Sequence, residues 1–263
     1  MANADLDKQP DSVSSVMKVF GILQALGDER EIGITELSQR VMMSKSTVYR
    51  FLQTMKSLGY VSQEGESEKY ALTLKLFELG AKSLQNVDLI RSADIQMREL
   101  SNHTRETIHL GALDEDSIVY IHKIDSMYNL RMYSRIGRRN PLHSTAIGKV
   151  LLAWRDRAEV EEILSQIAFT RSTAHTLTSA AELLPVLEQV RAQGFGEDVE
   201  EQEEGLRCIA VPVFDRFGVV IAGLSISFPT LRFSEDAKAD YVKRLHTAAR
   251  NISEQQGYHH YPF

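Results

Sequence analysis

Lys45, Ser46, Thr47, Tyr49, Arg50 and Gln53 fall on one face of a helical repeat, and Val48, Phe51, Leu52, Met55 and Leu58 occupy the other at i, i+3, i+4, i+7 and i+10 spacing. Two cations, three hydroxyls and an amide so arranged are the groups that reach phosphate oxygens and base edges. The apolar stripe must face a core. Ser44 stands where an N-cap is needed, and Gly59 where a helix ends in a left-handed residue.

The elements around this helix have the order that would aim it. A shorter helix precedes it, with Thr35 as its expected N-cap and Ile34, Leu37 and Val41 on one side. The connection Met42-Met43-Ser44 is short, so the two helices turn sharply. Beyond Gly59, Tyr60-Val61 and Tyr70-Ala71-Leu72 flank a turn containing Gly65, which predicts a hairpin. Two short helices followed by a hairpin read as a winged helix-turn-helix, a device for placing one helix in the major groove of double-stranded DNA. From residue 33 to 63, four basic residues (Arg40, Lys45, Arg50, Lys56) stand against one acid (Glu36), a local +3 in a chain of net −6. Thr35, Ser44 and Lys69 complete the expected DNA-contact set. The hairpin segment Gln63-Glu64-Gly65-Glu66-Ser67-Glu68-Lys69 carries three acids, which repel phosphates. The helix should therefore carry most of the affinity, with Lys69 the hairpin's contribution. The competing reading is an ordinary amphipathic pair whose polar face is only solvated.

At 263 residues two domains are expected, and 43% hydrophobic with 25% charged residues is a globular composition. A pI near 5.8 argues against indiscriminate coating of nucleic acid, so DNA contact should be local. The single cysteine, Cys208, excludes an internal disulfide and a cysteine-based zinc site. No apolar run approaches the ~18 residues that span a bilayer, and the polar, acidic start is unlike a leader peptide. These features predict a cytoplasmic protein without a membrane partner.

Along the chain, residues 1–11 are expected as a disordered tail and 12–72 as the DNA-binding domain. Its opening helix, residues 12–26, would turn Val13, Val16, Met17, Phe20 and Leu23 toward the two motif helices. Residues 73–88 read as a linker helix with Leu76, Phe77, Gly80 and Leu84 on one side. That stripe suits a two-fold contact between copies, and the alternative is that it covers its own domain. Residues 89–257 form the second domain, with 258–263 as a tail. Its helices are expected at 89–104, from Ser144 or Thr145 onward, at 157–166, at 179–193 and from Ser234, as N-cap, to 256. A hairpin turns at Asp114–Ser117 between Ile108, Leu110, Ala112 and Ile118, Tyr120, His122. Further strands are expected at 130–134, 208–214 and 219–227, with a basic loop at 135–141. Antiparallel strands with helices around them predict an α+β domain.

Enzymatic constellations are missing from the residues. There is no G-x-S-x-G elbow, P-loop or dinucleotide fingerprint, and no histidine pair has metal-ligand spacing on a helix. Cys208 lies in an apolar strand, where an inert thiol is the expected state. The run Glu197 to Glu204 holds six acids in eight positions and reads as a solvated loop, the alternative being a metal cluster. No catalytic residue, metal or cofactor is expected.

The second domain does offer a place for a small anion. The helix opening at Ser144 presents backbone N–H groups near Thr145, Ala146 and Ile147. Ser225 and Ser227 share one face of a strand, Cys208 could lie on its neighbour, and Asp198 can accept hydroxyl hydrogens. Alternatively the two serines merely satisfy strand polarity.

The segment GFGEDVEEQEEGLRCIAVPVFD, residues 194–215, resembles the C-terminal signature of the isocitrate lyase regulator (IclR) family, through Gly194, Asp198, Glu201, Cys208, Ile209, Ala210, Val213, Phe214 and Asp215. Residues 135–149, RIGRRNPLHSTAIGK, are similar to that family too, and the resemblance extends over nearly the whole chain. It implies a transcriptional regulator, most often a repressor, with an N-terminal winged helix-turn-helix and a C-terminal GAF-like effector domain, the alternative being an activator that senses another carboxylate or an aromatic acid. It further implies a homodimer or tetramer on operator DNA. The effector implied is a small carboxylate, a keto sugar acid such as 2-keto-3-deoxygluconate, lined by Thr145, Ala146, Ile147, Asp198, Cys208, Ser225 and Ser227.

Overall fold

A computed structural model of the chain describes residues 14–63, 68–84, 89–130 and 134–263, with residues 81–84 as backbone only. The expected N-terminal tail, most of the acidic hairpin tip, Leu84 as a contact residue and most of the strand at 130–134 lie outside the described residues or side chains. Two compact units divide the chain at Asn86 and Val87.

The first unit runs α1 (Ser14–Gly27), β1 (Ile32–Gly33), α2 (Ile34–Arg40), α3 (Lys45–Ser57), β2 (Val61–Ser62), β3 (Lys69–Leu72) and α4 (Leu74–Leu84). Its three-stranded sheet has the antiparallel order β1-β3-β2, joining Ile32 to Tyr70 and Val61 to Leu72. The core is Ile22, Leu26, Ile32, Leu37, Val48, Leu52, Met55, Val61 and Tyr70. Ser44 caps α3, its Oγ accepting from the Thr47 N–H at 3.3 Å, and Gly59 follows the helix at φ 82°. The sharp turn between α2 and α3 is a Schellman ending. Met43 N–H donates to Ser38 O and Met42 N–H to Gln39 O, with Met42 left-handed at φ 49°.

Three local expectations are corrected in this unit. Gly33, not Thr35, is the N-cap of α2, without any side-chain bond; Thr35 lies inside the first turn. Leu58 is exposed, because α3 ends before the stripe reaches it. The buried side of α1 is Val19, Ile22, Leu23, Ala25 and Leu26, whereas Val16, Met17 and Phe20 are 50–64% exposed. The unit's small core has room for only one stripe of α1, and it takes the C-terminal one. On α4, Leu74, Phe77 and Leu79 are likewise exposed and Leu76 is half-buried. The helix therefore does not spend its apolar face on covering its own domain.

In the second unit, α5 (Leu89–Thr104) leads into β4 (Thr107–Asp114), β5 (Ser117–Ile124) and β6 (Arg139–Pro141). Next come α6 (Ala146–Ala153), α7 (Arg157–Gln166), α8 (Ala180–Gln193), β7 (Gly196–Val199), β8 (Leu206–Phe214), β9 (Val220–Pro229) and α9 (Lys238–Gln255). All six strands are antiparallel in the order β6-β5-β4-β9-β8-β7. One face of the sheet packs Ile108, Leu110, Ile209, Val211, Leu224 and Ile226 against α5 and α9. The other carries Tyr120, Cys208 and Ala210 beneath α6, with α7 and α8 outside it. Strands β8 and β9 are buried on both faces, which is why they read as near-continuous apolar runs.

Helix α6 lies on the sheet at glycine contacts. A Cβ on Gly223 would meet Ile147 at 2.9 Å, and one on Gly196 would meet the Ala146 carbonyl at 2.9 Å. Against the chain leading into α6, a Cβ on Gly148 would strike Leu142 O at 2.3 Å.

The remaining corrections belong to this unit. The basic loop ends in a strand, Arg139–Pro141. The acidic run is not all loop, since its first residues form β7 and Asp198 is 1% exposed. Helix α9 starts at Lys238 after a turn held by Ser234, so Ser234 is not its cap. The last six residues pack rather than trail. Tyr258 stacks on Phe214 at 5.0 Å, and the Tyr261 hydroxyl donates to Pro212 O at 3.1 Å. Among the described residues no helix is long and apolar enough to cross a membrane.

Candidate functional site

An exposed face in the first unit and a buried column in the second gather the polar residues singled out by sequence. In the first, α3 buries Val48, Leu52 and Met55, which turns Lys45, Ser46, Tyr49 and Arg50 to solvent. Lys45 and Arg50 have no ion pair among the described residues. By contrast, Arg40 is held by Glu29 at 2.9 Å and Glu36 at 2.8 Å, and the Lys69 ammonium by Glu31 at 2.7 Å. That last contact lowers Glu31 and raises Lys69 from their ordinary pKa values, through the hydrogen bond first and the charge second. So the local positive charge concentrates on α3 and is partly neutralised at the hairpin.

The hydroxyls of this face are not equivalent. Ser44 Oγ, engaged as the cap, lies 2.8 Å from Thr47 Oγ1 and 3.1 Å from Ser46 Oγ, so this trio forms a small network at the start of α3. Gln53 is half-buried and hydrogen-bonds Tyr70 of β3. Thr35 is exposed, and its carbonyl accepts from Ser38 Oγ at 2.7 Å. One residue escaped the sequence reading. Lys18 of α1 lines a shallow hollow with Thr47, Tyr49, Arg50, Phe51, Gln53 and Thr54. The correct buried face of α1 would have placed it there.

In the second unit the register collects residues far apart in sequence. Asp198 of β7 pairs with Cys208 of β8, and Cys208 pairs with Ser227 of β9. Ser225 stands opposite both Ala210 of β8 and His109 of β4. All point to the face under α6. The Cys208 thiol donates to Ser227 Oγ at 3.2 Å, and Ser227 Oγ lies 3.3 Å from His109 Nδ1. The ring of His109 stacks on Tyr120 with centroids 4.3 Å apart, and its Nε2 is 2.7 Å from Ser134 Oγ. Every member of this column is buried.

Thr145 is the N-cap of α6. Its hydroxyl donates to Pro141 O at 2.8 Å and accepts from Gly148 N–H at 3.2 Å. Ala146 and Ile147 supply the first backbone N–H groups of the helix, which have no partner within it by position. Ser144 Oγ bonds Gln202 Oε1 at 2.5 Å, drawing the loop after β7 against this helix start.

The electrostatics are unusual for a core. Burial pushes the Asp198 carboxyl up to about 7, opposed by the Glu201 N–H that it accepts. Burial also raises Glu201, whose carboxylate pairs with the Lys149 ammonium; that ammonium also donates to Glu197 O at 2.8 Å. Burial raises Cys208 well beyond the usual thiol range, so the thiol stays protonated and inert as expected. Lys149, Glu201 and His109 were not anticipated as part of the site. Lys149 shows only as a lone cation in an apolar helix, and His109 hides on what reads as the outward side of a strand.

Comparison with known proteins identifies the family of each of the two units. The IclR helix-turn-helix domain matches residues 15–65, and the bacterial transcriptional regulator IclR C-terminal domain matches residues 81–254. The HTH-type transcriptional regulator KdgR of Dickeya chrysanthemi is 87% identical over 263 residues, covering 100% of this chain and 86% of that protein. The protein of the same name from Escherichia coli K12 is 84% identical and covered in full, as is this chain (100% of each). Among solved structures, the C-terminal domain of E. coli KdgR covers 65% of this chain and 100% of its own, at 76% identity and TM-score 0.61. The Thermotoga maritima IclR structure covers 94% of this chain and 100% of its own, at 31% identity and TM-score 0.80.

Proposed function

The chain belongs to the IclR family of bacterial transcriptional regulators, and from that premise we propose that it is a repressor of sugar-acid catabolism released from its operator by a keto sugar acid such as 2-keto-3-deoxygluconate. It is a DNA-binding regulator rather than an enzyme, as its relatives are named. The observation that carries the effector reading is the closed polar column Asp198–Cys208–Ser227 in an otherwise apolar core, beside the N-terminus of α6. Buried polar groups gathered in an apolar core are expected where a small polar ligand is recognised. In this reading Thr145, Ala146 and Ile147 present the helix start to the carboxylate, while Asp198, Ser225 and Ser227 meet hydroxyls and Cys208 fills the wall between them. Near pH 7 the Asp198 carboxyl can donate as well as accept, which suits an alcohol partner.

On DNA, Lys45, Ser46, Tyr49 and Arg50 lie nearest the duplex, with Ser44, Thr47, Gln53 and Thr35 at the margins and Lys69 on the hairpin. A dimer through the exposed stripe of α4 sets two such helices on a palindromic operator. Pairing of dimers into a tetramer remains a further step in the same scheme. The ligand acts by binding more tightly to a domain arrangement that misplaces the two recognition helices, which lowers operator affinity by that difference.

The test pairs calorimetry with DNA binding. Millimolar 2-keto-3-deoxygluconate should bind the full chain and release it from an operator selected from random duplexes, and Asp198→Ala with Ser225→Ala should abolish both effects. Undetectable binding to the wild type removes this effector, and unchanged binding to the double variant removes this site.

A further inference from the structure

We propose that His109 is the residue that reads a hydroxyl of the bound ligand, its Nε2–H passing from the Ser134 hydroxyl to the ligand. The proposal deepens the effector reading above and rests on it.

His109 stands in the middle of the sheet, opposite Ser225 on β9 and Lys123 on β5, with no exposed surface. Burial holds its imidazole at about 3, with the Lys123 charge acting in the same direction, so the ring is neutral across the physiological range. A neutral imidazole has one donor and one acceptor, and the neighbouring bonds decide which nitrogen is which. The Cys208 thiol donates to Ser227 Oγ, which leaves the Ser227 proton available to His109 Nδ1 at 3.3 Å. With the ring proton on Nε2, that nitrogen donates to Ser134 Oγ at 2.7 Å. The chain of bonds has one direction, from the column beside Asp198 outward to a hydroxyl. That terminal hydroxyl has the chemistry of a sugar alcohol.

Packing does not require a polar ring here. The aromatic face of Tyr120, stacked on the ring, would accept an apolar side chain as well. Burying an imidazole is unfavourable unless its bonds are made. A keto sugar acid brings a carboxylate and several hydroxyls, whereas a short keto acid such as pyruvate brings no hydroxyl. His109 should thus set selectivity between the two and leave recognition of the carboxylate to α6. Ser134 is held independently through its carbonyl, which accepts from Lys123 Nζ at 2.7 Å, so its hydroxyl can exchange partners while its backbone stays in place.

Calorimetry on the full chain with 2-keto-3-deoxygluconate and with pyruvate tests this, using His109→Asn, His109→Gln and Ser134→Ala. Asn keeps an amide near the Nδ1 position and loses the distal donor; Gln carries an amide nitrogen near Nε2. The Asn variant should lose tenfold or more in sugar-acid affinity, with pyruvate changed less than threefold, and Gln should restore most of the loss. Ser134→Ala removes the competing hydroxyl and should bind the sugar acid at least as tightly as wild type. Thermal unfolding checks that each variant is folded, and if the Asn variant is not, weaker sugar-acid binding by Ser134→Ala overturns the proposal. If pyruvate binds too weakly to measure, the contrast between Asn and Gln decides. Equal loss for both acids, equal loss in Asn and Gln, or unchanged sugar-acid affinity in Asn overturns the His109 assignment while leaving the effector reading intact. A wild type that binds neither acid overturns the effector reading itself, and the assignment with it.

Discussion

Asp198 Oδ1 accepts the backbone N–H of Glu201 at 2.8 Å and that of Gln202 at 3.3 Å, so a buried carboxyl ties the acidic loop back onto the end of its own strand. An amide oxygen could accept the same two bonds without carrying a charge.

The pH dependence of stability follows from that relationship. Burial raises the Asp198 carboxyl from 3.8 to about 7 in the folded chain. Between those values the folded state holds a proton that the unfolded state has released, so this group's contribution is fully present below about pH 4 and fades as pH rises through 7. Asp198→Asn should therefore match wild type near pH 4 and gain on it above pH 7, by ~1–3 kcal/mol. Urea unfolding of both proteins at pH 4.5, 6 and 8 gives the difference directly, and a pH-independent difference would contradict it.

Operator affinity should distinguish free from engaged cations. Arg50→Ala should lose ~1–3 kcal/mol on the specific site, and Lys45→Ala should lower the salt slope by about one charge. Arg40→Ala should change little, because Glu29 and Glu36 already hold that guanidinium. Fluorescence anisotropy at a series of salt concentrations separates the three, and a loss for Arg40→Ala equal to that for Arg50→Ala would argue against the α3 face.

Phe77 is 70% exposed on α4, and burying it in a two-fold contact is worth ~1.5–3 kcal/mol. Phe77→Glu should raise the dimer dissociation constant tenfold or more and weaken operator binding with it. Sedimentation that finds the same assembly for both proteins would remove α4 from the interface. Phe20 and Met17 of α1 are exposed as well, and Phe20→Glu offers the same test for that helix.

Lys149 is fully buried, at 2% exposure, and carries a charge. Lys149→Met would leave Glu201 a buried carboxylate without its cation, which should destabilise the second unit by ~3–5 kcal/mol. Adding Glu201→Leu should recover much of that loss. Thermal unfolding reads both, and a double variant no more stable than the single one would show that the pair does more than neutralise itself.

The exposed polar face of α3 was legible in sequence because it depends on one helix. The alternation of Val48, Leu52 and Met55 with Lys45, Tyr49 and Arg50 is set by the 3.6-residue period, and Ser44 and Gly59 mark its ends through local backbone bonds. The α+β organisation was legible for the same reason, as were helices α5 and α7 with their end residues. Which side of α1 is buried was not, since both its stripes are apolar and only the size of the core chooses between them.

The ligand-like column depended on register. Ser225 and Ser227 share a strand face by alternation alone, but that His109 stands beside them is decided 116 and 118 positions away by the pairing of β4 with β9. Likewise the acidic run reads as solvated from its charge. Only the tertiary structure shows Asp198 and Glu201 turned inward, where the ammonium of Lys149 and the backbone of the loop compensate the carboxyls. Sequence by itself determined what depends on neighbours along one helix or strand; the chain's return upon itself decided what depends on burial, because the environment that shifts a pKa or directs a proton is built by residues no local period connects.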